Sequence, residues 1–313
     1  MIGYEIFQNL KKMYQAERKF KILFCPYKED MWDSFETIYE AALLDKDTIA
    51  KIMPIPYFTL SNLLPCSAIM EFGDCSRNFP NILNDEWDVI MIHYPYDNKN
   101  NVTRPMLTSA MLKFFCKHLV FINYAVIGDR DVEPQAAGYP AYKNVELIIC
   151  EKEKHAKQLK EMLGGVNPDI KCVAWGSPKF DKLTCEYAMP KEWEKKTKGK
   201  KVILLQTSLI PFMNNPHKLE QIEQFLNKYF NDESVCIWWR PHPLLADTII
   251  AHRPEQFEHY TNLLDKVEHS RHILDLTSNL HRAISMTDEL VSDKSSVVIL
   301  YQSTGKPITM LGD

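Results

Sequence analysis

Short, almost continuous apolar runs of β-forming residues recur along this chain with helix-period stretches between them, and that alternation leaves few folds open. The runs at 21–25 (KILFC), 88–94 (DVIMIHY), 119–124 (LVFINY) and 145–150 (VELIIC), followed by KCVAW, have little polar character on either side of the strand. Strands of this kind need a sheet covered on both faces, which is the parallel sheet of an α/β protein. Helices are expected between them, over about 32–44 and 152–163. After GSPKFDKL the rhythm lapses into the lysine-dense EYAMPKEWEKKTKGKK and then resumes. The second half runs KVILLQ, a helix over about 217–230, SVCIWWR, a helix after Arg253-Pro254, HILDL, a short helix near His281, ELVSD, and a helix from Val297. A length of 313 residues matches two domains of roughly 150 residues each. The expected organisation is an α/β domain at 1–188, a lysine-rich linker at 189–201 and a second α/β domain at 202–313. In such an architecture the ligand sites lie at the carboxyl ends of the strands, in a cleft between domains.

Composition closes off other classes. With 45% hydrophobic and 25% charged residues the chain is an ordinary globular one. A net charge of −4 does not suit a nucleic-acid binder, which needs a basic surface against phosphates. The eight cysteines, at 25, 66, 75, 116, 150, 172, 185 and 236, form no CxxC pair and no zinc-ligand spacing with histidine, so reduced and mostly buried thiols are expected. The first twenty residues lack the parts of a signal peptide, and no apolar stretch reaches the ~18 residues of a membrane span. The expectation is a cytoplasmic protein whose membrane contact, if any, is peripheral, at the inner face of the cell membrane.

Strand ends are where candidate chemistry is expected. SVCIWWR runs directly into RPHP, where Pro241 and Pro243 stiffen a loop carrying Arg240 and His242. The guanidinium can fork onto phosphate oxygens, or both residues can make structural hydrogen bonds in a proline turn. ELVSD leads into Asp293-Lys294-Ser295-Ser296 and a helix, where free amide groups and hydroxyls can receive an anion or Asp293 can serve as an N-cap. His93 ends the DVIMIHY strand and is placed to take a proton, or to be a buried histidine satisfied by backbone. Tyr96 and Asp97 follow it, and Lys28 and Asp33 follow the first strand; all four are candidate acceptor-side residues. No glycine fingerprint for NAD or ATP is present. Asp129 and Asp131 in GDRD could chelate a metal, although a solvated turn is the simpler reading. In the Trp238-Trp239 pair at least one ring is expected in the core.

Taken in order, PYKEDMWDS, PIPYF, HYPYDNKNNVT, GSPKFDKL, TSLIPFMNN, WWRPHPLLADTI, RPEQFEHY and SDKSSVVILYQSTGKP resemble the CDP-glycerol glycerophosphotransferases, from about residue 21 to the end. The resemblance implies a GT-B fold, two Rossmann-like domains facing across a cleft. It implies that CDP-glycerol is the donor, its pyrophosphate near Arg240, His242, Asp293, Ser295 and Ser296, with His93 as the positional match for the base that deprotonates an acceptor hydroxyl. No cofactor is required by such a reaction, a divalent metal is left open, and the acceptor can be lipid-linked or carbohydrate. A GT-B chain continues past its last strand into a further helix, so the end at Met310-Leu311-Gly312-Asp313 reads as one segment short. Two alternatives stand beside this reading: another GT-B sugar-nucleotide enzyme, a glycosyltransferase or a 2-epimerase, or a nucleotide-binding subunit without turnover.

Overall fold

The computed structural model describes residues 1–14, 17–59, 65–66 (backbone only), 83–100 and 103–311. Cys75, the Cys66 side chain, Asn101, Val102, Gly312 and Asp313 lie outside the described residues. The chain divides into two compact units, Met1–Lys182 and Leu183–Asp313.

In the first unit the strands are β1 (Phe20–Cys25), β2 (Thr48–Ile52), β3 (Tyr57–Thr59), β4 (Pro65–Cys66), β5 (Trp87–Ile92), β6 (Thr103–Pro105), β7 (Cys116–Ile122), β8 (Leu147–Cys150) and β9 (Lys171–Ala174). Six of them form one sheet in the order β2-β1-β5-β7-β8-β9, with every pairing parallel. Both faces are buried, as the apolar runs require. Leu23, Cys25, Ile90, Ile92, Leu119, Phe121 and Ile148 pack on one side, and Ile22, Phe24, Val89, Met91, Val120, Ile122 and Ile149 pack on the other. The remaining short strands make a small antiparallel sheet, β4-β3-β6, for which no sequence signal was found.

The sequence reading also missed the first helix, Ile2–Tyr14, whose Ile6, Phe7, Leu10 and Tyr14 recur at helical spacing and are buried. It packs closely on helix Glu36–Leu44, because Gly3 has no side chain: a Cβ there would stand 2.1 Å from Thr37 Oγ1 and 2.6 Å from the Thr37 carbonyl carbon. The helix N-terminus is closed from far along the chain. Asp181 accepts the amide hydrogens of Ile2 and Gly3, both at 2.8 Å, and the Thr37 hydroxyl at 2.8 Å. Thus the GSPKFDKL segment is a structural clamp, in which Lys179 also pairs with Asp33 at 2.6 Å and Lys182 with Glu36 at 2.9 Å.

The second unit contains β10 (Lys201–Thr207), β11 (Val235–Pro241), β12 (Ile273–Leu274), β13 (Glu289–Ser292) and β14 (Ile308–Met310). Their order, β12-β11-β10-β13-β14, is all parallel and reverses direction between β10 and β13. This is the doubly wound pattern of a nucleotide-binding half. The expected helices are present at Lys218–Tyr229, Phe257–Glu268, Leu280–Met286 and Ser296–Gln302. The lysine-rich segment contains a further helix, Lys191–Thr197, whose Trp193 meets Trp238 edge-on at 4.9 Å. Both tryptophans of the pair are fully buried: Trp239 joins the core with Ile203, Leu205, Ile237 and Val291, while Trp238 faces the other side. Lys306, in QSTGKP, donates to the carbonyls of Ile284, Ser285 and Thr287 and so closes the end of helix Leu280–Met286.

Overpacking at a backbone-to-backbone approach is costly, so Gly3→Ala should lower stability by about 1–3 kcal/mol in urea unfolding. Gly138→Ala, which meets nothing within 4 Å, should leave the midpoint unchanged. Equal midpoints for the two variants would show that the helices are not held at this distance.

Candidate functional site

In each unit the strand order reverses once, between β1 and β5 in the first and between β10 and β13 in the second. Ligands of open α/β sheets settle at these reversals, beyond the carboxyl ends of the strands. Both reversals are bridged in the same way. In the first unit the amide of Tyr27, just past β1, donates to Nε2 of His93, just past β5, at 2.9 Å. In the second, the amide of Ser208, just past β10, donates to Oδ2 of Asp293, just past β13, at 2.9 Å.

The bridge in the first unit overturns the role expected for His93. Since Nε2 accepts, the ring proton resides on Nδ1 and is donated to Ser34 Oγ at 2.8 Å, and that hydroxyl donates onward to the Met31 carbonyl at 2.8 Å. The imidazole lies flat against Phe35, with ring centres 4.4 Å apart, and none of it is exposed. Burial, which outweighs the opposing pull of Asp33 and is helped slightly by Lys179, holds its pKa down to about 3. With both nitrogens engaged and the charged form suppressed, His93 is a structural group and not a proton acceptor.

Asp97 is likewise structural. It is 7% exposed, sits at φ +44°, and accepts the Ser109 amide at 3.0 Å and the Ser109 hydroxyl at 2.6 Å, which fixes the start of helix Ser109–Leu112. Tyr96 belongs to a chain of rings running Tyr27, Tyr94, Tyr96, Tyr139 and Tyr142, with neighbouring centres 3.8 to 5.7 Å apart. Burial raises the phenols of Tyr27 and Tyr124 to about 12. Asp33 is committed to Lys179, and Lys28 lies over the Tyr57 ring at 4.9 Å.

One carboxylate in this region escaped the sequence reading. Asp30, in the 3-10 turn Glu29–Ser34 immediately beyond β1, is half-buried. Burial raises its pKa above the usual carboxylate range against the opposing pull of Lys28 and Lys179. Nothing in PYKEDMWDS distinguished it from Glu29 or Asp33.

In the second unit Arg240 is not a free phosphate fork. Its Nη1 is 2.7 Å from Asp275 Oδ2 and its Nη2 donates to the Thr277 carbonyl at 2.6 Å, with the residue 5% exposed. Asp275 also accepts the Trp238 indole N–H at 2.9 Å and the amide and hydroxyl of Thr277. Asp293 pairs with the buried Lys218 and is 3% exposed, so it neither caps the following helix nor faces solvent. Asp275 and Lys218 are the partners that sequence reading missed; each lies tens of residues from its mate, beyond the reach of local pattern.

His242 directly follows Pro241, the last residue of β11. It is half-buried, and its Nδ1 accepts the Leu244 amide at 3.1 Å, which fixes the tautomer with the proton on Nε2 and makes that nitrogen a donor. Ser295 and Ser296, half-buried, begin the helix Ser296–Gln302 after β13, while Lys294 is exposed. Ser295 stands at the N-cap position without making the cap hydrogen bond. His242, Ser295 and Ser296 therefore follow two strands, β11 and β13, that flank the central β10.

The GDRD acids are tied by other residues. Asp129 pairs with Lys152 at 2.5 Å, and Asp131 accepts from Gln158 at 2.8 Å with Lys154 at 3.5 Å. Among the described residues no group of three His, Cys, Asp or Glu side chains is placed to hold a metal ion, and no helix is long and apolar enough to cross a membrane. Cys25, Cys150 and Cys236 are buried thiols, Cys116 and Cys172 half-buried and Cys185 exposed.

The two parallel, doubly wound units define a GT-B fold, and solved structures bear this out. A UDP-GlcNAc 2-epimerase from Neisseria meningitidis bound to UDP-GlcNAc is similar at 14% identity and TM-score 0.59, covering 94% of this chain and 83% of its own. An S. aureus MnaA–UDP co-structure gives 13% and 0.57, covering 94% and 79%. The wall teichoic acid polymerase TagF gives 13% and 0.52, covering 99% and 74%. No family model and no curated protein matches the chain.

Two outcomes test these assignments. Removing one partner of a buried ion pair strands the other, so Arg240→Ala should cost about 3–5 kcal/mol in urea unfolding. An unchanged midpoint would mean a guanidinium turned out to a ligand. For His93 the unfolded imidazole titrates near 6.5 and the folded one near 3, so between these values the unfolded chain binds more protons. Stability should be full above pH ~6.5 and fall as pH drops towards 3, with a slope steeper by about one proton than that of His93→Gln. Identical slopes would refute a buried neutral histidine.

Proposed function

We propose that this chain is an enzyme of nucleotide-diphosphate chemistry that transfers glycerol phosphate from CDP-glycerol to an acceptor hydroxyl, releasing CMP. The observation that carries this reading is that His242, Ser295 and Ser296, the residues for which the motif resemblance implies pyrophosphate contact, follow the carboxyl ends of the two strands flanking β10. Nε2–H of His242 and the serine hydroxyls are suited to donate hydrogen bonds to phosphate oxygens, and Lys294 adds positive charge nearby. Arg240 and Asp293 act behind them: Arg240, through Asp275, stiffens the turn carrying His242, and Asp293, through Lys218 and Ser208, fixes the turn before Ser295.

In the reaction, the acceptor oxygen forms a bond to the β-phosphorus bearing glycerol while the bond from that phosphorus to the bridging oxygen breaks. CMP leaves with the electron pair and a phosphodiester results. The acceptor proton needs a base, and we assign it to Asp30 in place of His93. Its raised pKa makes it a better proton acceptor than an exposed carboxylate, and its place beyond β1 is that of a ligand-facing loop.

A second reading, a UDP-sugar 2-epimerase, is favoured by the higher TM-score of the Neisseria enzyme than of TagF. The donors separate the two. CDP-glycerol, and not UDP-GlcNAc, should raise the melting temperature, and CMP should accumulate when a hydroxyl acceptor is added. Asp30→Asn and His242→Ala should each lower that turnover by about 100-fold or more. Stabilisation by UDP-GlcNAc alone would replace the glycerophosphotransferase reading with the second one.

A further inference from the structure

The central strand of the second unit carries a polar side chain where its pattern is otherwise apolar. In KVILLQT, residues Val202, Leu204 and Gln206 alternate onto the face that does not carry Trp239. The parallel register sets Leu204 beside Trp238 and Leu290, and Gln206 beside Arg240 and Ser292. Gln206 is 5% exposed, so the fold encloses a carboxamide at a position where leucine would continue the pattern.

Enclosure leaves one end of that carboxamide unanswered. Nε2 donates to the Thr207 carbonyl only at 3.5 Å, a long bond, and Oε1, out of reach of solvent, accepts from nothing among the described residues. The side chains beside it in register are engaged elsewhere: Arg240 with Asp275 and Thr277, and Ser292 with the Asp293 carbonyl. Ser295, shortly past β13, repeats the situation, its hydroxyl oxygen enclosed and likewise without a partner among the described residues. A buried polar atom left unpaired costs stability, and one kept at a strand end calls for a ligand that completes it.

Chemistry narrows what that ligand group is. Oε1 is an acceptor, so it repels a phosphate oxygen and takes the proton of a hydroxyl or amino group. Gln206 still belongs to the strand, its carbonyl accepting the Asp293 amide at 3.4 Å, so it lies behind the loops that carry His242 and Ser295. A group that reaches it has to pass those phosphate-facing residues and be small. The glycerol end of CDP-glycerol is such a group, whereas the ribose carries the cytosine with it.

We infer that Gln206 is a specificity-determining residue of the donor site, its Oε1 accepting a hydrogen bond from a hydroxyl of the glycerol on the second phosphate. The inference rests on the glycerophosphotransferase reading and adds to it the means by which an alditol is told from a chain without hydroxyls. A site built to hydrogen-bond a hydroxyl rejects the analogue that lacks it, because the buried acceptor then stays unpaired.

Calorimetric titration with CDP-glycerol and with the propyl ester of CDP, which keeps the diphosphate charge and lacks the hydroxyls, tests this. Wild type should bind CDP-glycerol about tenfold or more tightly than the propyl ester. Gln206→Met should bind the two alike, at the affinity of wild type for the propyl ester. Without ligand, the urea midpoint of Gln206→Met should equal or exceed that of wild type, because an apolar side chain of similar length removes the unpaired acceptor. A preference retained by Gln206→Met, an equal loss for both ligands, or a lowered midpoint overturns the inference, the last by making Gln206 structural. Equal binding of the two ligands by wild type overturns it as well and leaves the donor assignment standing, whereas a wild type that binds neither removes the donor assignment with it.

Discussion

A single hydrogen bond, from the backbone just past the first strand of each unit to a side chain just past the strand where the order reverses, organises both halves of this molecule. At the reversal two adjacent loops diverge to opposite faces of the sheet, leaving a gap with unpaired backbone donors. His93 fills that role for Tyr27, and Asp293 fills it for Ser208. Everything nearby follows from what each acceptor then needs. A neutral imidazole needs a partner for its other nitrogen and finds Ser34, whose hydroxyl is passed on to Met31. A buried carboxylate needs a cation and finds Lys218. The same geometric problem is therefore solved once without charge and once with a complete ion pair, and in neither case is the acceptor left over for a ligand.

That distinction explains how much was legible in the sequence. Strands buried on both faces announce themselves through composition alone, so β1, β5, β10 and β11 were readable to within a few residues, as was the helical rhythm between them. Helix Ile2–Tyr14 was obscured because its charged residues break up the apolar pattern, and the small antiparallel sheet because three-residue strands have no period to detect. At the site, the loops were found but the duties of their side chains were not. RPHP and SDKSS do lie at the ends of the two strands that flank β10, yet two of the residues singled out there, Arg240 and Asp293, are held in buried ion pairs. Arg240 and Asp293 look functional in isolation because the residues that claim them, Asp275 and Lys218, are 35 and 75 positions away. Ion pairing across a sheet edge is a tertiary fact, and one-dimensional pattern does not carry it.

The reassignments leave a coherent division of labour. Charged residues that are fully enclosed set the geometry of loops, whereas Asp30 and His242 are half-buried and Lys294 is exposed. The tyrosine series from Tyr27 to Tyr142 stiffens the loops beyond β1 and β5 through ring contacts, and burial keeps its phenols protonated, so it adds rigidity without adding charge.

The clamp between Asp181 and the amides of Ile2 and Gly3 carries a consequence for how the protein is made. A contact spanning nearly the whole first unit forms only once the segment that holds Asp181 has left the ribosome, so helix Ile2–Tyr14 waits until then with its N-terminal amides uncapped, and the second unit is still to be made. The first unit is thus completed by joining its two extremities, and its folding is timed by the last stretch of its own sequence to appear.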